Sequence, residues 1–393
     1  MTDDYQEKNG SKPRKKVGLI VGVLCAVLVI MPAVVFAALW VAGKPVDYIT
    51  IAGRQFSTSL TELSLGGSDL RCEDLLLLRH MTNLTSLSLD GNQISDISPL
   101  AGLTNLTYLS LSNTQITDLT PLAGLTNLTR LWSHSNPFTD ISPLAGLTNL
   151  TSLQFPNSQI TDITPLAGLT NLTSLLFWGS QITDITPLAG LTNLTSLNFW
   201  SSQITDITPL AGLTNLTSLR LSHSSITYLT PLARLENLTS LTLSDNQITD
   251  LAPLAGLTNL TSLELSSNQI ADLAPLAGLT NLTWLGLGGN LMIGSHGVYW
   301  SGLSDNSFTD LTPLTGLENL TSLELSGNQI TDLTSLTGLT NLTSLTVLRL
   351  EGNQITDLTP LAELTNLTEL HLSRNPITDW SPVEHVTTVR GRR

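Results

Sequence analysis

From about residue 80 onward, apolar and polar positions follow a short phrase that the chain then repeats. Leu87 and Leu89 are flanked by Ser86, Ser88 and Asp90, the period-two pattern of a strand that turns its leucines inward and its small polar residues outward. The alternation ends at Asn92, placed where the chain leaves the strand, and its amide is suited to bonding backbone groups buried in that turn. Ile94 and Ile97 follow at wider spacing, then Ser98-Pro99-Leu100. Ser98 and Pro99 read as the N-cap and first position of a helical turn, with Gly102 as its stop. A turn that short is expected to be 3₁₀ rather than α.

The whole phrase recurs. Asn-Leu-Thr begins at Asn83, Asn105, Asn127, Asn149, Asn171, Asn193, Asn215, Asn237, Asn259 and Asn281, always 22 residues apart, and returns at Asn319, Asn341 and Asn366. Such self-similarity predicts a solenoid in which each unit buries its apolar side only against its neighbours. Equivalent strands would stack into a parallel sheet at about 4.8 Å per unit, an arc on the order of 65 Å long. The unit Leu84–Leu103 resembles the leucine-rich repeat pattern L-x-x-L-x-L-x-x-N-x-I-x-x-I-x-x-L. Its 22-residue length and its S/T-P-L-A-G-L-T-N-L wording are similar to those of the internalin-like family. The resemblance covers roughly residues 56–385, as fourteen full units and one truncated unit. It implies an α/β solenoid with a concave parallel β-sheet and short 3₁₀ or irregular convex segments, and a binding protein rather than an enzyme.

The organisation around the repeats follows from composition. Val17 to Gly43 is a run of 27 residues without a charge, long enough to cross a bilayer core. Lys12, Arg14, Lys15 and Lys16 precede it, so residues 1–16 are expected to stay in the cytoplasm and the rest to be exported. The rival reading is a cleaved signal ending near Val35-Phe36-Ala37, although signal cores are usually shorter. Residues 44–70 read as an N-terminal cap, with a hairpin over Tyr48 to Ser57, followed by a divergent first unit. Residues 71–375 form the array, and residues 376–393 a C-terminal cap and tail sealed by Trp380 and Val383. The end of the chain carries no sortase signal. In this it departs from internalins anchored at their C-terminus. Net charge is +2 over residues 1–43 and −16 over residues 44–393, with no lysine after Lys44. Nucleic acid is therefore not an expected partner, and neither is anionic lipid for the exported part. Cys25 and Cys72 cannot build a disulfide framework or a zinc cluster.

In a solenoid, function is sought where the exposed strand positions break the consensus. Most are Ser, Thr or Gly. The exceptions are Tyr108, Arg130, Trp132, His134, Gln154, Leu176, Trp178, Asn198, Trp200, Arg220 and, just past the strand, His223, with Trp284 further along. Trp178 and Trp200 hold equivalent places in adjacent units. Trp and Arg are the residues that binding hot spots favour. The site expected for a protein ligand, or alternatively a glycan, is thus Tyr108, Arg130, Trp132, His134, Trp178, Trp200, Arg220, His223 and Trp284. The plain alternative is that the indoles lie flat and only cover the sheet. Toward the C-terminal end the same face turns acidic at Glu264, Glu324, Glu351 and Glu369.

Three further features set expectations. Phe155, Phe177 and Phe199 replace the second strand leucine and should stack in the core. Thr114, Ser158, Ser180, Ser202 and Ser224 replace the turn asparagine, and a hydroxyl reaches fewer backbone groups, so this stretch should be less rigid. Residues 291–306 are an insertion, either a truncated repeat or a protruding loop, offering His296, Tyr299 and Trp300. Near Leu345 to Leu348, three extra residues resemble slippage of Leu-Thr-Ser.

Chemistry is tempting but weakly signalled. One Asp per unit, from Asp96 to Asp379 and broken by Tyr228, reads as helix capping rather than as a Ca²⁺ ladder, because Ca²⁺ needs six to eight oxygens. No nucleophile elbow or metalloprotease motif is legible, and no cofactor is expected. A passive spacer and an intracellular regulatory scaffold remain as alternatives to a membrane-anchored binding protein.

Overall fold

A computed structural model describes residues 47–289, 291–294, 297–300, 306–336 and 344–392. Residues 17–43, read above as a membrane span, and His296 lie outside them. Among the described residues no helix is long and apolar enough to cross a membrane.

The chain opens with an antiparallel hairpin, β1 (Tyr48–Ile51) and β2 (Arg54–Ser57). Its Ile49 and Ile51 are buried against the first unit. Next come β3 (Glu62–Ser64), β4 (Ser86–Ser88), β5 (Tyr108–Ser110), β6 (Arg130–Trp132), β7 (Ser152–Gln154) and β8 (Ser174–Leu176). They are followed by β9 (Ser196–Asn198), β10 (Ser218–Arg220), β11 (Ser240–Thr242), β12 (Ser262–Glu264) and β13 (Trp284–Gly286). A second hairpin, β14 (Leu291–Gly294) and β15 (Gly297–Trp300), interrupts the series before β16 (Ser322–Glu324), β17 (Val347–Arg349), β18 (Glu369–His371) and β19 (Thr388–Arg390). Apart from the two hairpins, these strands make one 15-stranded sheet in chain order, and the neighbouring pairs are parallel. Equal coil length keeps identical positions side by side, as in Leu175 opposite Leu197 opposite Leu219.

Each unit buries one set of aliphatic side chains. In the first full unit these are Leu84, Leu87, Leu89, Ile94, Ile97, Leu100 and Leu103, all at 0–1% exposure. Asn92 does in the turn what its position predicts. Its Nδ2 donates to the carbonyls of Leu65 and Leu89, and its Oδ1 accepts from the amides of Ser68 and Leu70. Asn246 and Asn268 repeat the arrangement, so wherever the asparagine is kept a buried amide ties its coil to the one before it. Each such bond is worth about 0.5–1.5 kcal/mol. The Asn-Leu-Thr column is a second ladder: Asn105 Nδ2 donates to the Thr82 carbonyl and Thr107 Oγ1 to the Thr85 carbonyl, and later units repeat both bonds.

Four details correct the sequence reading. The helical turns are indeed 3₁₀, as at Ser98–Leu100, but Ser98 is the first residue of its turn rather than the cap. The capping oxygen comes from the aspartate two residues earlier: Asp96 Oδ1 accepts the Ser98 amide at 2.8 Å, and Asp118, Asp140 and their successors do the same. Gly102 takes no left-handed conformation, so it is not a glycine stop; positive φ falls instead just after the strand, at Gly91, Asn113, His223 and Asp245. The insertion is not a truncated repeat. It is a separate hairpin set in the turn of one unit: β13 pairs directly with β16, and Asn306 resumes the buried ladder through the Leu287 carbonyl and the Ile270 amide. Finally, the expected tail contributes a strand, β19, beside the buried Val383 and the half-buried Trp380.

The phenylalanines stack inside the core and extend further than expected. Phe177 lies 5.5 Å from Phe199 with nearly parallel rings, and Phe155 meets Phe177 and Phe138 edge-on. Phe138 stands in the same unit as Ser133, a fully buried serine in the second strand-leucine position. A large residue thus compensates for a small one. The same logic joins Phe155, Phe177 and Phe199 to Ser158, Ser180 and Ser202: where the ring enters, the turn asparagine shrinks to serine. The cost appears in the hydrogen bonds. Ser158 Oγ has no partner, and Ser180 Oγ reaches its nearest acceptors only at 3.4–3.5 Å. The bonds from Gln181 and Gln203 to the preceding coil stretch to 3.2–3.3 Å, against 2.9 Å at Gln247 and Gln269 beside the asparagines. If ring and hydroxyl share one volume, Phe177→Leu and Ser180→Asn should each destabilise the protein by about 1–3 kcal/mol. The double variant should recover at least about 1 kcal/mol of that sum, read from a double-mutant cycle in urea unfolding. Additive losses would mean that the two positions do not exchange volume.

Candidate binding face

Along each strand, the residues flanking the buried leucines project from the sheet, and strict register arranges them into columns across it. Trp178 and Trp200 fall in one column because Leu175 is held opposite Leu197. Their backbone belongs to the ladder, with the Trp178 carbonyl accepting from Asn157 and the Trp200 carbonyl from Gly179. Their rings are 5.0 Å apart and tilted by 48°, and they stay 40% and 36% exposed. The His223 ring meets Trp200 edge-on at 5.1 Å, from the left-handed position (φ 53°) just past β10, and pairs with Asp245 at 3.3 Å. Leu176, Asn198 and Gln154 occupy the neighbouring column, half-buried.

A second cluster lies on β5 and β6. The Tyr108 and Trp132 rings meet edge-on at 5.2 Å, and the exposed Arg130 guanidinium sits 5.7 Å from the Tyr108 centroid, a cation–π contact. Trp132 is half-buried, and its Nε1 is enclosed without a partner. His134 follows on the same side, half-buried, and Arg220 projects exposed from β10. The nine expected site residues therefore do not form one contact cluster. Tyr108, Arg130 and Trp132 make one group, Trp178, Trp200 and His223 another, and Trp284 is set apart on β13. Its indole leans over Gly286 toward Glu264: a Cβ at Gly286 would sit 2.6 Å from the ring and 2.6 Å from the Glu264 carboxylate.

The acidic end differs from its sequence reading. Arg349 and His371 continue the column of Glu264 and Glu324, with Glu351 and Glu369 in the columns beside it, a signal masked by the three extra residues that offset β17. Arg349 lies 4.0 Å from Glu324, and the buried His371 is clamped between Glu351 at 2.7 Å and Glu369 at 2.5 Å. Burial pushes the Glu264 and Glu324 carboxyls up from their ordinary range, while the His371 ring bonded to Glu369 pulls that carboxyl down. This end is an internally paired network rather than a free acidic surface. A groove of about 970 Å³ runs elsewhere, along the Asn105, Thr107, Asn127 and Thr129 edge. Its asparagine amides are already committed to the second ladder, so its regularity has a structural cause.

The aspartate column also has a structural explanation. Each carboxylate accepts the amide at the start of its 3₁₀ turn, and Tyr228, which breaks the column, donates its hydroxyl to Asp206 at 2.6 Å. Among the described residues no group of three or more His, Cys, Asp or Glu could hold a metal ion.

The leucine-rich repeat model of two copies matches residues 104–146, 148–278 in overlapping pairs, 302–338 and 343–385, and a single-repeat model matches 80–97. The chain belongs to the leucine-rich repeat family. Among solved structures, this leucine-rich repeat chain is similar to the internalin InlF of Listeria monocytogenes. The two share 38% identity over 81% of this chain and 89% of that one, with a TM-score of 0.72. It also resembles the functional domain of InlJ from Listeria monocytogenes, which includes a cysteine ladder, at 25% identity over 84% and 72% of the two chains and a TM-score of 0.65. Here Cys72 is the only cysteine among the described residues, and asparagine fills the buried ladder. The Leptospira interrogans protein LIC12759, at 24% identity over 82% and 86% and a TM-score of 0.67, shares the fold. The array is therefore of the internalin type, and no enzyme family is indicated. No curated protein sequence matches the chain.

The half-buried glutamates, with their raised carboxyls, imply a pH dependence. A carboxyl whose folded pKa is raised favours the fold most at low pH, and that contribution is lost as pH rises through the raised value. Glu264→Gln should therefore melt a few degrees above the wild type at pH 7, and the gap should close by about pH 4, where both side chains are neutral. The capping aspartates have lowered pKa values and act in the opposite sense, but equally in both proteins, so they cancel in the comparison. A gap that does not change between the two pH values would remove burial as the cause.

Proposed function

We propose that the protein is a membrane-anchored, extracytoplasmic binding protein that docks a protein ligand on the exposed face of its sheet, with no catalytic step. The observation that carries this reading is the Trp178–Trp200 pair: two indoles in contact, each more than one-third exposed, on a backbone held by the ladder. A core has no use for these side chains there, and burying such aromatics in a partner is the usual source of hot-spot affinity. Tyr108, Arg130 and Trp132 extend the surface, and Arg220 and His223 orient what lies on it. The internalin-type array favours protein over glycan as the ligand class. The uncharged run 17–43, with its basic N-terminal flank, would hold the array outside the membrane.

The double variant Trp178→Ala/Trp200→Ala should fold with a melting temperature close to that of the wild type, since both rings are half-exposed. Its attachment to cell surfaces or captured ligand should fall by more than about thirtyfold, the loss expected from even one hot spot of about 2 kcal/mol. Unchanged attachment by the folded variant would leave the spacer reading in its place. On intact cells, protease should remove the repeats while sparing a short N-terminal fragment; a protected array would reverse the topology and favour the intracellular scaffold.

A further inference from the structure

The exported part of the chain is strongly acidic, net −16 over residues 44–393, and has no lysine after Lys44. Against that background, one stretch of the sheet face stands out. None of the outward strand positions from Tyr108 to Ser222 is Asp or Glu, whereas Arg130, His134 and Arg220 all lie there. On either side the carboxylates return, with Asp90 before this stretch and Asp245 and Glu264 after it.

Cations are also treated differently in the two halves. At the C-terminal end Arg349 faces Glu324, and His371 is held between two glutamates. In the aromatic half, Arg130 and Arg220 are exposed, and neither has a carboxylate within ion-pairing distance among the described residues. Arg130 rests instead on the Tyr108 ring, which orients the guanidinium without neutralising it. Two uncompensated arginines flanking a pair of open indoles form a surface complementary to carboxylates and apolar side chains together.

We propose that this face recognises an acidic protein segment, with carboxylates meeting Arg130 and Arg220 and an aromatic or aliphatic side chain packing on Trp178 and Trp200. The inference rests on the docking reading above and specifies the partner's chemistry. β6 and β10 are four strand spacings apart, about 19 Å. An extended segment laid across the strands covers that distance in about six residues, which sets the separation of its two carboxylates. A nucleic acid fits less well. Duplex DNA presents one charge per about 1.7 Å, two guanidiniums neutralise little of it, and the ends of the strand would run onto Asp90 and Glu264.

Fluorescence anisotropy of the full-length protein with labelled random copolymers tests the proposal, using Glu–Tyr, Lys–Tyr and polyuridylate as probes. The Glu–Tyr copolymer should bind and the Lys–Tyr copolymer should not. Binding should weaken at least about fivefold in Arg130→Gln/Arg220→Gln, and again when salt rises from about 50 to about 300 mM. Both arginines are exposed, so circular dichroism of that variant should match the wild type. Absence of Glu–Tyr binding, equal binding of Lys–Tyr, or an arginine variant indistinguishable from wild type each overturns the proposal. Polyuridylate binding more tightly than Glu–Tyr would assign the face to nucleic acid and overturn it as well. Should Trp178→Ala/Trp200→Ala lose binding while the arginine variant keeps it, the docking face stands and only the charge assignment fails. If neither variant changes binding, both readings fail.

Discussion

Each coil of this protein can bury its leucines only against the coil before and the coil after it, and it can do so only if each coil brings its strand back to the same register. Twenty-two residues return the chain to the same place in the next strand, so a leucine always meets a leucine. The buried asparagine enforces the match, because its amide bonds backbone groups in its own coil and the preceding one. A coil out of register would leave those backbone groups unpaired in an apolar interior, and such groups are costly to bury. The same constraint explains how the chain tolerates its irregularities. The second hairpin is set into a turn, where it leaves the pairing of β13 with β16 intact. Extra residues near 345 are likewise absorbed before β17 begins.

Register also makes a surface out of repetition. A side chain placed once on a strand is isolated, whereas the same position filled in the next unit puts two side chains in contact. The tryptophan pair arises this way, and so does the phenylalanine stack directly beneath it. Both sit in units where serine replaces the ladder asparagine and makes fewer bonds than the amide does elsewhere. In these units the ring takes the volume of the amide, and the amide's bonds are lost with it.

Charge divides the face a second time. The C-terminal units satisfy their charged groups among themselves, to the point of holding one histidine between two carboxylates. The central units leave their arginines open. A sheet of uniform backbone thus carries two chemically distinct regions, one closed on itself and one with its arginines exposed.

Much of this was legible in the residues alone. The solenoid, the parallel sheet, the 3₁₀ turns, the inward leucines and the adjacency of Trp178 with Trp200 all follow from a constant period, because periodicity converts sequence distance directly into spatial distance. What the period does not encode had to come from the packed structure. Ser98 proved to be the first residue of its turn rather than a cap, which leaves the capping to the aspartate column already read that way, as at Asp96. Trp132 turned partly inward against Tyr108 and Trp284 leaned over Gly286, because side-chain direction depends on the room that neighbouring coils leave. The acidic end proved to be paired, since Arg349 and His371 come beside the glutamates only after the three extra residues are absorbed. Register belongs to the sequence; the environment of each side chain belongs to the neighbours that folding brings against it.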